Sequence, residues 1–232
     1  TTMKKIILSM IVATAISQAT EAQLFYAQGG VNLANITNSA SGNTEDNAVL
    51  TTFNVGLMGR FGLSDVVDLE SGLLLTGRGS KAETTFNNGN DYIKAKFNPL
   101  YVELPVNVVV NIPLSAQTKL FVNAGPYGAI GIAGKTKTES KLGLISSSSE
   151  ADIKFSNDNP FTSEQEDAGY NKLKRFDYGL NLGAGLDLKS IIIKANYGYG
   201  LTKINSTDSD NNADDKNKYR TLSVSIGIPL SR

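Results

Sequence analysis

The chain contains no cysteine, no histidine and no tryptophan among its 232 residues. Without histidine or cysteine it cannot assemble a Ser-His-Asp or Cys-His catalytic set, a His- or Cys-ligated zinc site, or a c-type haem attachment. No disulfide can form either, so packing and hydrogen bonding alone must hold the fold. Beyond the N-terminal region no run of about 18 apolar residues occurs, which excludes helical membrane spans. Neither sign of charge dominates, since 22 Lys+Arg and 22 Asp+Glu are mixed along the chain, and no nucleic-acid partner is expected. Prolines number only six, whereas 22 glycines, nine tyrosines and nine phenylalanines suit a β-rich chain.

The N-terminal segment reads as an export address. Thr1 and Thr2 precede the expected initiator Met3, Lys4 and Lys5 follow, the run Ile6 to Ile16 is uncharged, and Thr20-Glu21-Ala22 places small residues before Gln23. That combination predicts a secretory signal peptide over residues 1–22, with residues 23–232 as a single domain.

Period-two alternation then recurs along the chain. In 175–188, Phe176, Tyr178, Leu180, Leu182, Ala184, Leu186 and Leu188 alternate with Arg175, Asp177, Gly179, Asn181, Gly183, Gly185 and Asp187, the signature of a long strand with one apolar face. Only Lys189-Ser190 separates it from the next strand, 191–202, which predicts a hairpin. A strand from Tyr219 to Leu230 closes the series. Upstream, 24–33, 50–61, 66–77, 98–112 and 119–133 bring the total to eight. Short turns alternate with long polar connections near 34–49, 78–97, 134–173 and 203–218. The expected fold class is therefore all-β, an eight-stranded antiparallel up-and-down transmembrane β-barrel with short periplasmic turns and long extracellular loops.

Alternation alone also admits a soluble lipocalin-like carrier with its faces reversed. Two features favour the membrane. The polar face of 175–188 is largely glycine and asparagine, which suits a crowded lumen better than a solvent face. Strands of this length, tilted near 45°, also cross a bilayer. With both termini periplasmic, Phe176, Tyr197, Tyr199 and Tyr219 gather at one interface as an aromatic girdle. Inside the lumen the pattern places Arg60, Asp68, Glu70, Glu103, Arg175, Asp177 and Lys194. Buried charges require partners, so these are expected to form a structural polar network. Eight strands leave room for little more than side chains, and no wide pore is expected.

Four segments occur in order: Tyr101-Val102-Glu103-Leu104-Pro105-Val106, Asn123-Ala124-Gly125-Pro126-Tyr127-Gly128, the run Phe176 to Gly185, and Tyr197-Gly198-Tyr199-Gly200-Leu201-Thr202. Together they resemble the PorT-like outer-membrane β-barrel family of Bacteroidetes over most of 24–230. The resemblance implies an outer-membrane barrel of eight strands, and for PorT itself an association with protein secretion. The C-terminal Pro229-Leu230-Ser231-Arg232 departs from the terminal aromatic common in outer-membrane proteins. Within the first segment, Pro105 lacks an N–H in mid-strand and predicts a bulge or bend.

Little other chemistry is visible. Asp208, Asp210, Asn212, Asp214 and Asp215 imitate the start of a calcium loop, but Ala213 stands where the turn glycine belongs and Tyr219 where the bidentate glutamate belongs. The 134–173 connection, with Ser146 to Ser149 and the acids Glu164, Glu166 and Asp167, is the expected partner-binding surface. No catalytic residues, cofactor or metal are expected. The expected partners are outer-membrane lipid and lipopolysaccharide and, through the loops, other envelope or secretion proteins. Three functions stay open: a non-enzymatic structural or partner-binding barrel, a PorT-like secretion component, and a soluble carrier.

Overall fold

The computed structural model describes residues 23–40, 43–46, 49–87, 91–143, 145–156, 172–204 and 217–231. The segment expected to be a signal peptide lies outside the described residues, as do Glu164, Glu166, Asp167 and the acidic positions from Asp208 to Asp215.

Among the described residues the strands are β1 (Gln23–Ala40), β2 (Asn43–Asp46), β3 (Leu50–Gly62), β4 (Val67–Gly77), β5 (Ser80–Phe86), β6 (Asp91–Pro113) and β7 (Lys119–Leu142). They continue with β8 (Ile145–Asp152), β9 (Lys154–Ser156), β10 (Lys172–Lys174), β11 (Phe176–Asp187), β12 (Ile192–Gly200) and β13 (Lys218–Ser231). Eight of these close a ring in the order β1, β3, β4, β6, β7, β11, β12, β13, each antiparallel to the next, with β13 returning to β1. Closure leaves no unpaired edge within the ring, as a chain surrounded by hydrocarbon requires.

The faces are ordered as a membrane barrel demands. Along β6, exposed Leu104, Val106, Val108 and Val110 alternate with buried Glu103, Pro105, Asn107 and Val109. Along β13, Leu222, Val224, Ile226 and Ile228 are exposed while Thr221 and Ser225 are buried. Leu182 is 65% exposed and Leu57 61%, so the apolar wall is on the outside, and the reversed arrangement of a soluble carrier does not hold. The inward face is kept narrow by glycine. A Cβ on Gly179 would lie 2.7 Å from the Tyr127 ring, and one on Gly185 2.4 Å from the ring of Phe121.

Four expectations need correction. First, β1, β6 and β7 run well beyond their expected limits at the loop end, β12 stops at Gly200, short of its limit, and three of the long connections contain strand. Strand β1 reaches Ala40 and pairs with β2, while β5, residues 91–98 of β6, residues 135–142 of β7 and β8 form a four-stranded extension beyond the ring. Both faces of the extension stand clear of the hydrocarbon interior of the membrane, so its strands lack the apolar/polar period that marks the wall. Second, β9 and β10 pair in parallel and bring Ile153, Phe155 and Leu173 onto Tyr101, Tyr127 and Tyr219. Part of the 134–173 connection is therefore an apolar cap on the barrel mouth. Third, the register shift in β6 lies at Leu100/Tyr101 rather than at Pro105. The ladder to β4 lapses between Ser71↔Val106 and Leu74↔Glu103 without a shift, and the Ser71 hydroxyl donates to the Pro105 carbonyl at 2.8 Å. Fourth, Tyr219 is buried in the lumen, whereas Tyr178, Tyr197 and Tyr199 are exposed. Tyr219 shares the parity of inward Thr221, and that parity excludes it from an outer girdle.

Candidate functional site

Two charged layers cross the lumen. Near the turn end, Glu70 is fully buried. Its Oε2 accepts from Arg60 Nε at 2.8 Å and from the Tyr26 hydroxyl at 2.8 Å. Its Oε1 accepts from Asn107 Nδ2 at 3.2 Å and from the Lys194 ammonium. The Arg60 guanidinium also lies 4.0 Å from the centre of the Phe121 ring, a position in which the ring's negative face offsets part of its desolvation.

Nearer the loop end, Arg78 occupies the corresponding position. Its Nη2 donates to Glu103 Oε2 at 2.6 Å, and its Nη1 donates to Asp177 and to the Tyr127 hydroxyl. Tyr127 donates in turn to Asp177 Oδ2 at 3.0 Å, and Asn181 Nδ2 reaches Glu103 Oε1 at 3.3 Å. Removing one partner from such an ion pair strands a charge in a low-dielectric interior. Between the layers lie amides that the inward parity selects: Gln28 Nε2 donates to Asn54 Oδ1, and Asn54 Nδ2 to Asn32 Oδ1. A cavity beside them, lined by Gln28, Asn54, Arg78, Glu103, Lys194 and Asn196 among others, offers about 40 Å³ to the centres of water molecules. At roughly 10–15 Å³ per water, that admits a few waters and no larger solute.

Of the residues placed inside by alternation, Arg60, Glu70 and Lys194 meet in the first layer, and Glu103 and Asp177 in the second. Asp68 stands apart near the turn end, accepting from Asn111 Nδ2 at 2.8 Å. Arg175 is half-buried and belongs to neither layer. Arg78 was missed. It follows β4 by one residue, where apolar alternation has ended, and the available signal was an arginine adjoining a strand whose neighbours carry inward acids. The acids of both layers are held by cations, and no group of three or more metal-ligating side chains occurs among the described residues.

Outside the ring, the four-stranded extension has two unlike faces. Outward, Lys81, Glu83, Lys94, Lys96, Lys135, Lys137, Glu139, Lys141, Glu150 and Asp152 share one side of the register. Hydrogen bonds from Lys94 and then Lys81 hold the Glu83 carboxyl below its ordinary range, and the Lys135 ammonium does the same for Glu150. Inward, Ala82, Ala95, Phe97, Thr136, Thr138, Ser147 and Ser149 carry no charge. At the tip Phe86, Ile93, Leu142 and Ile145 are exposed, Ile145 by 75%. Asp91 joins the two hairpins of the tip. Its Oδ1 accepts from the Gly143 N–H at 2.6 Å and its Oδ2 from Asn87 Nδ2, while Gly143 turns at φ +60°.

A family model described as "Outer membrane protein beta-barrel domain" matches residues 18–206. The chain belongs to that family. It is an outer-membrane β-barrel protein, its turn end is periplasmic and its extension extracellular. Among solved structures it is similar to Ail, the attachment invasion locus protein of Yersinia pestis, crystallised with the heparin analogue sucrose octasulfate, at 15% identity over 90% of this chain and 99% of that one, with a TM-score of 0.40. Neisserial surface protein A is similar at 12% identity over 90% of this chain and 100% of that one, TM-score 0.42. The translocator domain of the autotransporter NalP from Neisseria meningitidis is similar at 13% identity over 98% and 96%, TM-score 0.27. Comparison with curated protein sequences finds no match.

Proposed function

We propose that this protein is a non-enzymatic outer-membrane barrel that binds a protein partner at its extracellular extension, while the polar network of its lumen serves structure. The observation that carries this reading is the extension itself. It offers an uncharged face, an apolar tip at Phe86, Ile93, Leu142 and Ile145, and β8, an edge strand that among the described residues is paired on one side only. Such an edge can accept a partner strand through main-chain hydrogen bonds, with the tip supplying apolar contact. The absence of histidine and cysteine, and the pairing of the buried acids with Arg60, Arg78 and Lys194, support a role without catalysis. The two charged layers and the cap above them support a lumen that carries no wide stream of ions.

The partner class we favour is another envelope protein. A narrower version makes the chain a PorT-like component of a secretion system; the ordered segments around Glu103, Tyr127, Asp177 and Tyr197 favour that version. Photocrosslinking from Ser148, followed by purification, tests both. Stoichiometric capture of one envelope protein is expected, lost when proline replaces whichever of Ser147 and Ser148 directs its N–H away from β7. Capture of secretion-system subunits would select the narrower version, and no capture from an intact envelope would sink the partner-binding reading. In a planar bilayer the purified protein should show no large single-channel steps.

A further inference from the structure

The outward face of the extension follows an alternating charge pattern, with one exception. Glu83, Lys94 and Glu139 are cross-strand neighbours with signs that alternate, as a self-neutralising surface requires. One row nearer the membrane, Lys81 stands directly opposite Lys96, and Lys96 directly opposite Lys137, whose other cross-strand neighbour is Glu150. Like charges in directly opposed positions destabilise a sheet. Lys81 leans to Glu83 at 3.1 Å and Lys137 to Glu139 at 2.6 Å. Lys96, between them, is exposed and has no ion pair among the described residues. The whole face carries six lysines against four acids, an excess of cation on a chain with equal numbers of each sign.

The row's height is equally specific. On β6 the outward side is apolar up to Leu100, and on β7 up to Ile132, which is 52% exposed. With a rise of about 3.3 Å per residue and a tilt near 45°, Lys96 stands about 9 Å above Leu100 along the membrane normal. That is the depth at which headgroup phosphates begin. The row also lies on the same side of the strands as the lipid-facing wall, so what it meets is the surrounding lipid and not the contents of the lumen.

We propose that Lys81, Lys96 and Lys137 form a docking site for the phosphates of a lipopolysaccharide molecule packed against the β5–β6–β7 wall of the barrel. Compact ammonium groups bind phosphate as point charges, and a phosphate placed over the row relieves the repulsion that the sheet otherwise bears. This inference depends on the outer-membrane placement and not on the partner-binding reading, which uses the opposite face, the tip and the β8 edge.

The test uses the full barrel in phosphatidylcholine nanodiscs, with diphosphorylated lipid A, dephosphorylated lipid A or inorganic phosphate added. Diphosphorylated lipid A should raise the temperature at which the folded gel band is lost, and the other two should not. Near an anionic surface each lysine contributes roughly a fivefold change in binding. The triple substitution Lys81→Gln, Lys96→Gln, Lys137→Gln should therefore weaken lipid A binding about a hundredfold. In phosphatidylcholine alone the same variant should be as stable as the parent or more so, because the like-charge row is gone. Binding within threefold of the parent, equal protection by dephosphorylated lipid A or by inorganic phosphate, or a variant less stable than the parent without phosphate would each overturn the proposal.

Discussion

Arg78 reaches Asp177, 99 positions further along the chain, and Glu103 on the other side of the same guanidinium. One cation thereby ties three parts of the ring together in a layer that includes Tyr101, Tyr127 and Tyr219, with the Arg78 guanidinium 4.6 Å from the Tyr127 ring centre. Replacing Arg78 with Met should cost about 3–5 kcal/mol, the usual loss when a buried pair is left with one partner. The folded band in a urea-gradient gel measures it. The triple variant Arg78→Met, Glu103→Gln, Asp177→Asn should recover more than half of the loss, and a triple variant as weak as the single one would contradict the charge argument.

The tip of the extension should depend on pH through Asp91. Its hydrogen bond from Gly143 N–H, and then that from Asn87, hold the carboxyl below its ordinary value of about 3.9. A carboxyl depressed by folding contributes in full above its ordinary value and loses that contribution as pH falls through the lower, folded value. The Gly143 amide proton shift should accordingly stay constant from neutral pH down to about 4 and change only below it. Asp91→Asn should abolish the change. A midpoint above the ordinary aspartate value would refute the clasp.

Two glycines on opposite faces should respond in opposite ways. A Cβ at Gly179 would lie 2.3 Å from the Tyr199 carbonyl and 2.7 Å from Tyr127, whereas at Gly128 nothing lies within 4 Å. Overpacking costs typically about 1–3 kcal/mol, so Gly179→Ala should lower the urea midpoint clearly. Gly128→Ala, pointing into lipid, should leave it unchanged or raise it slightly by restricting the unfolded chain.

The cap should loosen without the barrel. Phe155 packs edge-on against Tyr101 with ring centres 5.9 Å apart, and the Ile153 N–H donates to Gly134 O at 2.9 Å. In Phe155→Ala, hydrogen exchange should accelerate at Ile153 and stay slow at Val109, which is fully buried in the layer near the turns. Equal acceleration at both would mean that the cap and the wall unfold as one unit.

Much of this was legible locally. The short connection at Lys189-Ser190 appears as a hairpin, with Lys189 at φ +68° and its N–H on Asp187 Oδ1 at 2.9 Å. The eight wall strands and their outward leucines and valines followed from period-two alternation, because lipid on one side and a packed lumen on the other impose opposite chemistry on successive residues. The extension also carried a period of two, written in charge and not in hydrophobicity: Lys135, Lys137, Glu139 and Lys141 alternate with Thr136, Thr138, Ser140 and Leu142. An apolar template does not register that pattern.

By itself, then, the sequence determined that the chain makes a wall of alternating strands, and, Tyr219 apart, which of the side chains it singled out in that wall point inward. Only the tertiary structure decided that Arg78 joins Glu103 and Asp177, that Lys194 reaches Glu70 124 positions away, and that Phe155 folds back over the mouth. Contacts of this kind depend on the stagger with which the last strand meets the first, since that offset fixes which layers of inward residues share a height. The offset belongs to the ring as a whole, and no local window of residues contains it.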